Sequence, residues 1–218
     1  MLTLSDAHVR ADGSATSLLR VDRLEIAPGE RVVVTGASGS GKTLLLSVIA
    51  GRLRPGLTLS GSRRVTGVDR VGVVPQRGID ALHPLVRLER QLSAVTGASR
   101  ARVSTVLARV GLNDARVARR RPAELSGGQA QRAAIALAVL TDAPWVIADE
   151  PTSALDPRTR DEVLAVLAGA LSASASATPP ALVVSTHDPV VAATLDARRL
   201  EVAGGCIVRD VPAGKVGR

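Results

Sequence analysis

The 218-residue chain contains no phenylalanine, no tyrosine and a single tryptophan, Trp145. Its core must therefore be built almost wholly from aliphatic side chains. Cysteine is nearly absent too: Cys206 stands alone, which excludes an internal disulfide and a cysteine-based metal site. No run approaches the roughly 20 apolar residues needed to cross a bilayer. The opening Met1-Leu2-Thr3-Leu4-Ser5-Asp6 lacks the basic flank and apolar stretch of a signal peptide. The expected compartment is the cytosol.

Apolar residues make up 45% of the chain, ample for one domain, or for one core with a smaller subdomain inserted in it. The net charge of +8 is unevenly spread, with seven arginines against one acid, Asp114, between Arg100 and Arg121. Such a face suits solvated helices, an anionic membrane surface, an acidic partner or nucleic acid. No aromatic platform accompanies it, so a nucleic-acid partner is not expected.

Apolar–polar alternation up to about residue 26 predicts an antiparallel β-layer turning near Gly13. A Val-rich buried strand follows at 31–35, then a helix over 41–52 and a second buried strand over 71–75. From 77 to 143 the pattern is helical, with helices expected over 85–95, 100–110 and 126–140. Apolar strands return at 145–148 and 181–185, separated by a helix over 157–171. Residues 172–180 form a Ser/Ala/Pro tract expected to be a flexible loop. A closing hairpin is expected over 198–203 and 206–210. Strands alternating with helices in this way predict an α/β fold with a mostly parallel sheet. The expected division is a core of 1–76 and 144–218 with a helical subdomain at 77–143.

Five segments carry chemistry. Gly36-Ala37-Ser38-Gly39-Ser40-Gly41-Lys42-Thr43 follows a strand and opens a helix, the context of a phosphate-binding loop. Its glycines let backbone N–H groups face the phosphates, and the helix N-terminus adds a favourable dipole. Lys42 would reach the β- and γ-phosphates of ATP, and Thr43 would offer its hydroxyl to Mg²⁺. Asp149 and Glu150 end an apolar strand at the carboxyl edge of the sheet, where ligands of α/β folds sit. Strand alternation is expected to turn their carboxylates to opposite faces. Gln76 ends a strand of its own, and His187 follows another. Ser126-Gly127-Gly128-Gln129 precedes a helix that Ser126 can cap.

Together with Leu125, which completes an LSGGQ segment, these five features in this order resemble the nucleotide-binding subunit of an ATP-binding-cassette (ABC) transporter. The resemblance covers nearly the whole chain and implies a P-loop ATPase. It implies that Asp149 holds Mg²⁺ through water, that Glu150 polarises the attacking water, and that Gln76 touches the metal or that water. His187 would contact the γ-phosphate. Ser126, Gly127, Gly128 and Gln129 would complete the ATP site of a second ABC subunit, a homodimer mate or a paralogue, across which Ser153-Ala154-Leu155-Asp156 would run. It further implies polytopic membrane permease subunits, an extracytoplasmic substrate-binding protein for an importer, and a place on the inner face of the cell membrane.

Most members place an aromatic ring some two dozen residues before the phosphate loop, to stack on adenine; here Ala7-His8-Val9-Arg10-Ala11-Asp12-Gly13 offers none, so relaxed base discrimination is expected. Gln76-Arg77-Gly78-Ile79-Asp80-Ala81-Leu82-His83-Pro84 is similar to the corresponding segment of peptide and nickel importers, with His83 where an asparagine is usual. An efflux ATPase and a soluble cassette of the phosphonate-breakdown type are the alternatives.

Overall fold

The computed structural model describes residues 1–153, 155–172 and 179–214. In chain order the strands are β1 (Leu2–Ala11), β2 (Ser17–Ile26), β3 (Arg31–Thr35), β4 (Leu57–Val65), β5 (Val71–Val74), β6 (Trp145–Asp149), β7 (Ala181–Ser185), β8 (Arg198–Ala203) and β9 (Cys206–Val211). The helices are α1 (Lys42–Ala50), α2 (Leu88–Thr96), α3 (Arg100–Arg109), α4 (Ala115–Arg119), α5 (Gly127–Leu140), α6 (Pro157–Ser172) and α7 (Pro189–Thr194). Short 3-10 turns occupy Gly78–Ala81 and Pro122–Glu124. These elements group into two compact units, one of Met1–Asp69 with Ala181–Arg218 and one of Arg70–Pro180. Most of the tract expected to be a flexible loop, 173–178, and Ala154 lie outside the described residues.

In the first unit the strands run in the order β4-β1-β2-β9-β8-β3-β7. β3 lies between parallel neighbours, β7 and β8. Burial on both faces explains its unbroken valines: Val32, Val33 and Val34 are at most 1% exposed. β1 is antiparallel to both β2 and β4. Its buried residues step from Leu2 and Leu4 to Ala7 and Val9, a skip of one position. The skip is a bulge: Asp6 adopts a φ of 47°, and the register against β4 shifts between Ser5 and His8.

β4 is absent from the sequence expectation for a physical reason. Its residues, LTLSGSRRV, include none that is buried, so no alternation of core and surface marks the strand. It is an edge strand, with arginines in the places that would otherwise invite another chain to pair. One of these arginines also holds α1 in place. The Arg63 Nε and Nη2 donate to the Ile49 carbonyl at 3.0 and 2.9 Å, satisfying one of the helix's last acceptors. The same guanidinium grips both carboxylate oxygens of Asp69 at 2.7 and 2.8 Å.

In the second unit β5 and β6 pair in parallel, from Val71 opposite Trp145 to Val74 opposite Ala148. Trp145 is buried at the start of its strand. Helix α5 is alanine-rich on its buried side, with Ala130, Ala133, Ala134 and Ala138 in the core. Those small side chains let the helix lie close on β5, where a Cβ at Gly72 would stand 3.1 Å from the Ala138 carbonyl. Ion pairs Arg102–Asp142 and Arg132–Glu162 tie α3 to the turn after α5, and α5 to α6. Helix α2 begins at Leu88, later than the sequence suggests, because Gly78–Ala81 and the residues after it turn first.

Replacing Arg63 by alanine should lower the unfolding free energy by about 1–3 kcal/mol, since it leaves a carbonyl at the end of α1 without its partner. Arg63 holds the Asp69 carboxyl below the usual carboxylate range through a side-chain hydrogen bond. That contribution is present above an unfolded pKa of about 3.9 and fades as pH falls through the lower folded value. Asp69→Asn should therefore cost less than about 1 kcal/mol at neutral pH, for a pair this exposed. In urea titrations the variant and the parent should converge toward about pH 2.

Candidate active site

The phosphate loop leaves β3 and enters α1 through three glycines of positive φ, Gly36, Gly39 and Gly41. Gly36 is required twice over. Its φ is 148°, and a Cβ there would lie 2.2 Å from the Val202 carbonyl of β8 and 2.6 Å from Ser40 Oγ. Gly41 occupies the cap of α1 in a left-handed conformation with no side-chain cap, which leaves the first helical N–H groups available to an anion. The loop is braced by its own unit: Gly205, in the β8–β9 turn, donates its N–H to the Ser40 carbonyl at 2.9 Å.

Lys42 is 5% exposed. Its Nζ donates to the carbonyls of Gly36 and Ala37 at 2.9 and 3.0 Å, so the side chain folds back across the loop it belongs to. Ser40 Oγ is buried with no hydrogen-bonding partner. An orphaned hydroxyl beside a glycine-lined cradle and a buried ammonium fits a phosphate oxygen, which would give Ser40 its missing partner. Thr43, at the second helical position, is exposed and able to meet a ligand. Nothing in the sequence singles out Ser40 from the rest of the loop; its burial does.

His187 belongs to the same unit. β7 pairs with β3 so that Ser185 stands opposite Val34, and Thr186 donates its N–H to the Val34 carbonyl at 2.9 Å. That register brings His187 and Gly36 to the same end of neighbouring strands. The Thr186 hydroxyl accepts from the Asp188 N–H at 3.0 Å and turns the chain at the histidine, which is exposed. The other histidines serve local structure. His83 Nδ1 accepts from the Leu85 N–H, and His8 lies 3.5 Å from Ser17 Oγ.

In the second unit, the β5–β6 register brings Gln76 and the Asp149-Glu150 pair to one strand end. Gln76 Nε2 donates to Ser153 Oγ at 2.9 Å. Ser153 in turn donates both its N–H and its hydroxyl to the Glu150 carbonyl, each at 3.1 Å. The strand stops at Asp149, and Glu150 leaves it with a φ of 41°. Strand alternation, from which the sequence suggested opposite faces for the two carboxylates, ends at Asp149 and does not extend to Glu150.

Ser126 caps α5. Its hydroxyl accepts from the Gln129 N–H at 3.2 Å, while Gln129 Oε1 accepts from the Ser126 N–H at 3.1 Å. Ser126 and Gly127 are exposed, Gly128 half-buried, so the cap is presented outward. Asp156 accepts from the Thr159 N–H at 3.1 Å and opens α6. The Thr159 side chain and backbone N–H hold its carboxyl below the usual range. Among the described residues no group of three or more His, Cys, Asp or Glu side chains forms a metal site. No described helix is long and apolar enough to cross a membrane.

A glycine-cradled phosphate loop on a parallel β-strand, with an acidic pair ending another strand, defines a P-loop ATPase. The family model for ABC transporters matches residues 19–153. The chain is 38% identical to the macrolide export ATP-binding/permease protein MacB 1/2 of Paracoccus denitrificans over 88% of its own length. It spans 30% of that relative's length. It is 37% identical to the lipoprotein-releasing system ATP-binding protein LolD of Chromohalobacter salexigens, covering 79% of this chain and 78% of LolD. Among solved structures, the ATP-binding cassette MJ0796, dimeric in a post-hydrolysis state with ADP and Pi, superposes with a TM-score of 0.77 at 27% identity. That match covers 99% of this chain and 100% of MJ0796. The chain belongs to the ABC transporter ATP-binding family and is an ATPase.

Lys42→Ala should weaken nucleotide binding itself, and Gly36→Ala should do so as severely, because its new methyl group would displace the Val202 carbonyl. Titration with a fluorescent ATP analogue should show at least a tenfold loss for each. A parent-like affinity in Lys42→Ala contradicts the role given to that side chain.

Proposed function

We propose that the chain drives an export-type transporter, closing on ATP as one of two cassettes and opening after hydrolysis to move substrate through separate permease domains. What carries the reading is the character of its relatives. Their names speak of macrolide export and of lipoprotein release, one as a protein fused to its permease and one as a separate ATP-binding protein. Peptide or nickel import, suggested by residues 76–84, gains no support from those names, and the efflux alternative fits better. A substrate-binding protein belongs to the import reading and falls away with it.

Within this proposal the core comprises 1–76 and 144–218, and the helical subdomain 77–143. Gly36 to Thr43 bind the triphosphate, Lys42 exchanging its two carbonyl contacts for phosphate oxygens. Thr43, Asp149 and Gln76 would hold Mg²⁺, whose preference for oxygen donors matches a hydroxyl, a carboxylate and an amide carbonyl. The ion would neutralise charge building on the phosphates. Glu150 polarises the attacking water, and His187 contacts the γ-phosphate. The outward-facing Ser126-Gly127-Gly128 cap meets the nucleotide of the second cassette; a dimer is also the state of the MJ0796 cassette with ADP and Pi.

ATP closes the pair only as far as it binds the closed state more tightly. Glu150→Gln should block hydrolysis and accumulate an ATP-loaded dimer on size exclusion, whereas a variant that stays monomeric with ATP contradicts the proposal. A pull-down of this variant from detergent-solubilised native cells should recover a multi-span membrane protein. Recovery of soluble enzymes alone would favour the phosphonate-breakdown type of cassette.

Base selectivity should be weak. The chain has no Phe or Tyr, and its one Trp, at 3% exposure, is packed into the second unit's core. No aromatic carbocycle of this chain is left to stack on a purine. GTP should compete with ATP within a few-fold, and a preference for ATP above about tenfold would overturn this.

A further inference from the structure

Helix α5 carries at its N-terminus the Ser126–Gln129 cap and, two residues beyond, a glutamine that the proposed mechanism leaves unused. Gln131 is 2% exposed, one of few buried polar side chains among the described residues. Its amide is engaged at both ends by backbone on either side of Gln76. Oε1 accepts from the Gly78 N–H at 2.7 Å, and Nε2 donates to the Pro75 carbonyl at 3.0 Å. The two partners fix the orientation of the amide, since a flip would set donor against donor and acceptor against acceptor.

The grip is tight because the backbones nearly touch. A Cβ at Gly78 would stand 2.4 Å from the Ala130 carbonyl and 2.5 Å from Gln131 Cα, so only glycine lets the turn lie against the helix. Gln76 and Arg77, between the two clamped points, are exposed. From Gln76 the hydrogen bonds continue through Ser153 to the Glu150 carbonyl. The cap of α5, the glutamine turn and the strand end carrying Glu150 thus lie on one path inside a single compact unit.

We propose that Gln131 is a positioning residue that locks the Gln76 turn to the cap-bearing helix, so that Gln76 moves with the Ser126–Gln129 segment as one piece. This rests on the roles proposed above for Gln76 and Glu150. Loss of the clamp should leave phosphate binding intact, because the phosphate loop belongs to the other unit. It should slow the turnover that depends on where Gln76 stands.

Two variants test it on the purified chain, beside the parent assayed in the same preparation. Gln131→Leu removes both hydrogen bonds. Gln131→Glu keeps the acceptor for Gly78 but, when ionised, cannot donate to Pro75; protonated, it can do both. Burial raises the pKa of such a carboxyl. Its protonated, clamp-competent form therefore prevails at low pH and is lost as pH rises. Gln131→Leu should lower kcat about tenfold with KM for ATP within twofold, and speed hydrogen exchange at the Gly78 amide. For Gln131→Glu, kcat relative to the parent at each pH should rise as pH falls from 8 to 6. Faster exchange at Gly78 with parent-like kcat overturns the proposal, as does a KM rise that accounts for the loss. A pH-independent ratio for Gln131→Glu also overturns it, and this arm stands even if the leucine variant fails to fold. If the parent itself did not hydrolyse ATP, the ATPase reading would fail first, visibly apart from the clamp.

Discussion

A buried ammonium organises the phosphate loop. Lys42 spans the loop from the helix side and holds the carbonyls of Gly36 and Ala37, leaving Ser40 Oγ without a partner. An ammonium so enclosed must be well bonded, and an anion suits it better than a neutral carbonyl does. The rest of the first unit follows from keeping that arrangement open. β3 delivers the loop from a strand buried on both faces. The Val202 carbonyl lies where any side chain on residue 36 would have to be, and Gly205 ties down the Ser40 carbonyl.

Much of this was legible in the sequence because each feature is local. A Val-rich run into a glycine-rich loop and then a helical period identifies the strand, the loop and α1 without tertiary knowledge. Ser126 is likewise readable as the cap of the helix that follows, and it caps α5, with Gln129 bonding back to it. What escaped the sequence depends on contacts far apart in the chain. β4 has no buried face, so its pairing with β1 leaves no periodic trace. The value of Gln131 lies in two backbone partners 53 and 56 residues away. The bulge at Asp6 likewise takes its meaning from the register against β4, a strand that the sequence did not reveal.

The second unit relies on close approach. Alanines on α5 bring its backbone within reach of β5 and of the turn at Gly78, where bulkier residues would hold the helix off. That packing has little slack: a methyl group at Gly72 or Gly78 meets backbone atoms, which cannot swing aside as a side chain can. A displacement of the α5 cap is therefore transmitted to the Gln76 turn rather than absorbed between them.

Glu150 shows the same economy at the strand end. A left-handed conformation in a residue with a full side chain costs of order 1 kcal/mol and persists only where its surroundings hold it. Here Ser153 does so, with its N–H and its hydroxyl both on the Glu150 carbonyl. Asp149 is the last residue of its strand and Glu150 the first beyond it, so the two adjacent carboxylates leave different backbone conformations. Gln76, which donates to the same Ser153 hydroxyl, is bonded to the device that holds the strain. A change in the position of Gln76 would thus be felt first at the backbone of the residue proposed to activate water. That coupling is local, needs no motion of the phosphate loop, and follows from three hydrogen bonds around one serine.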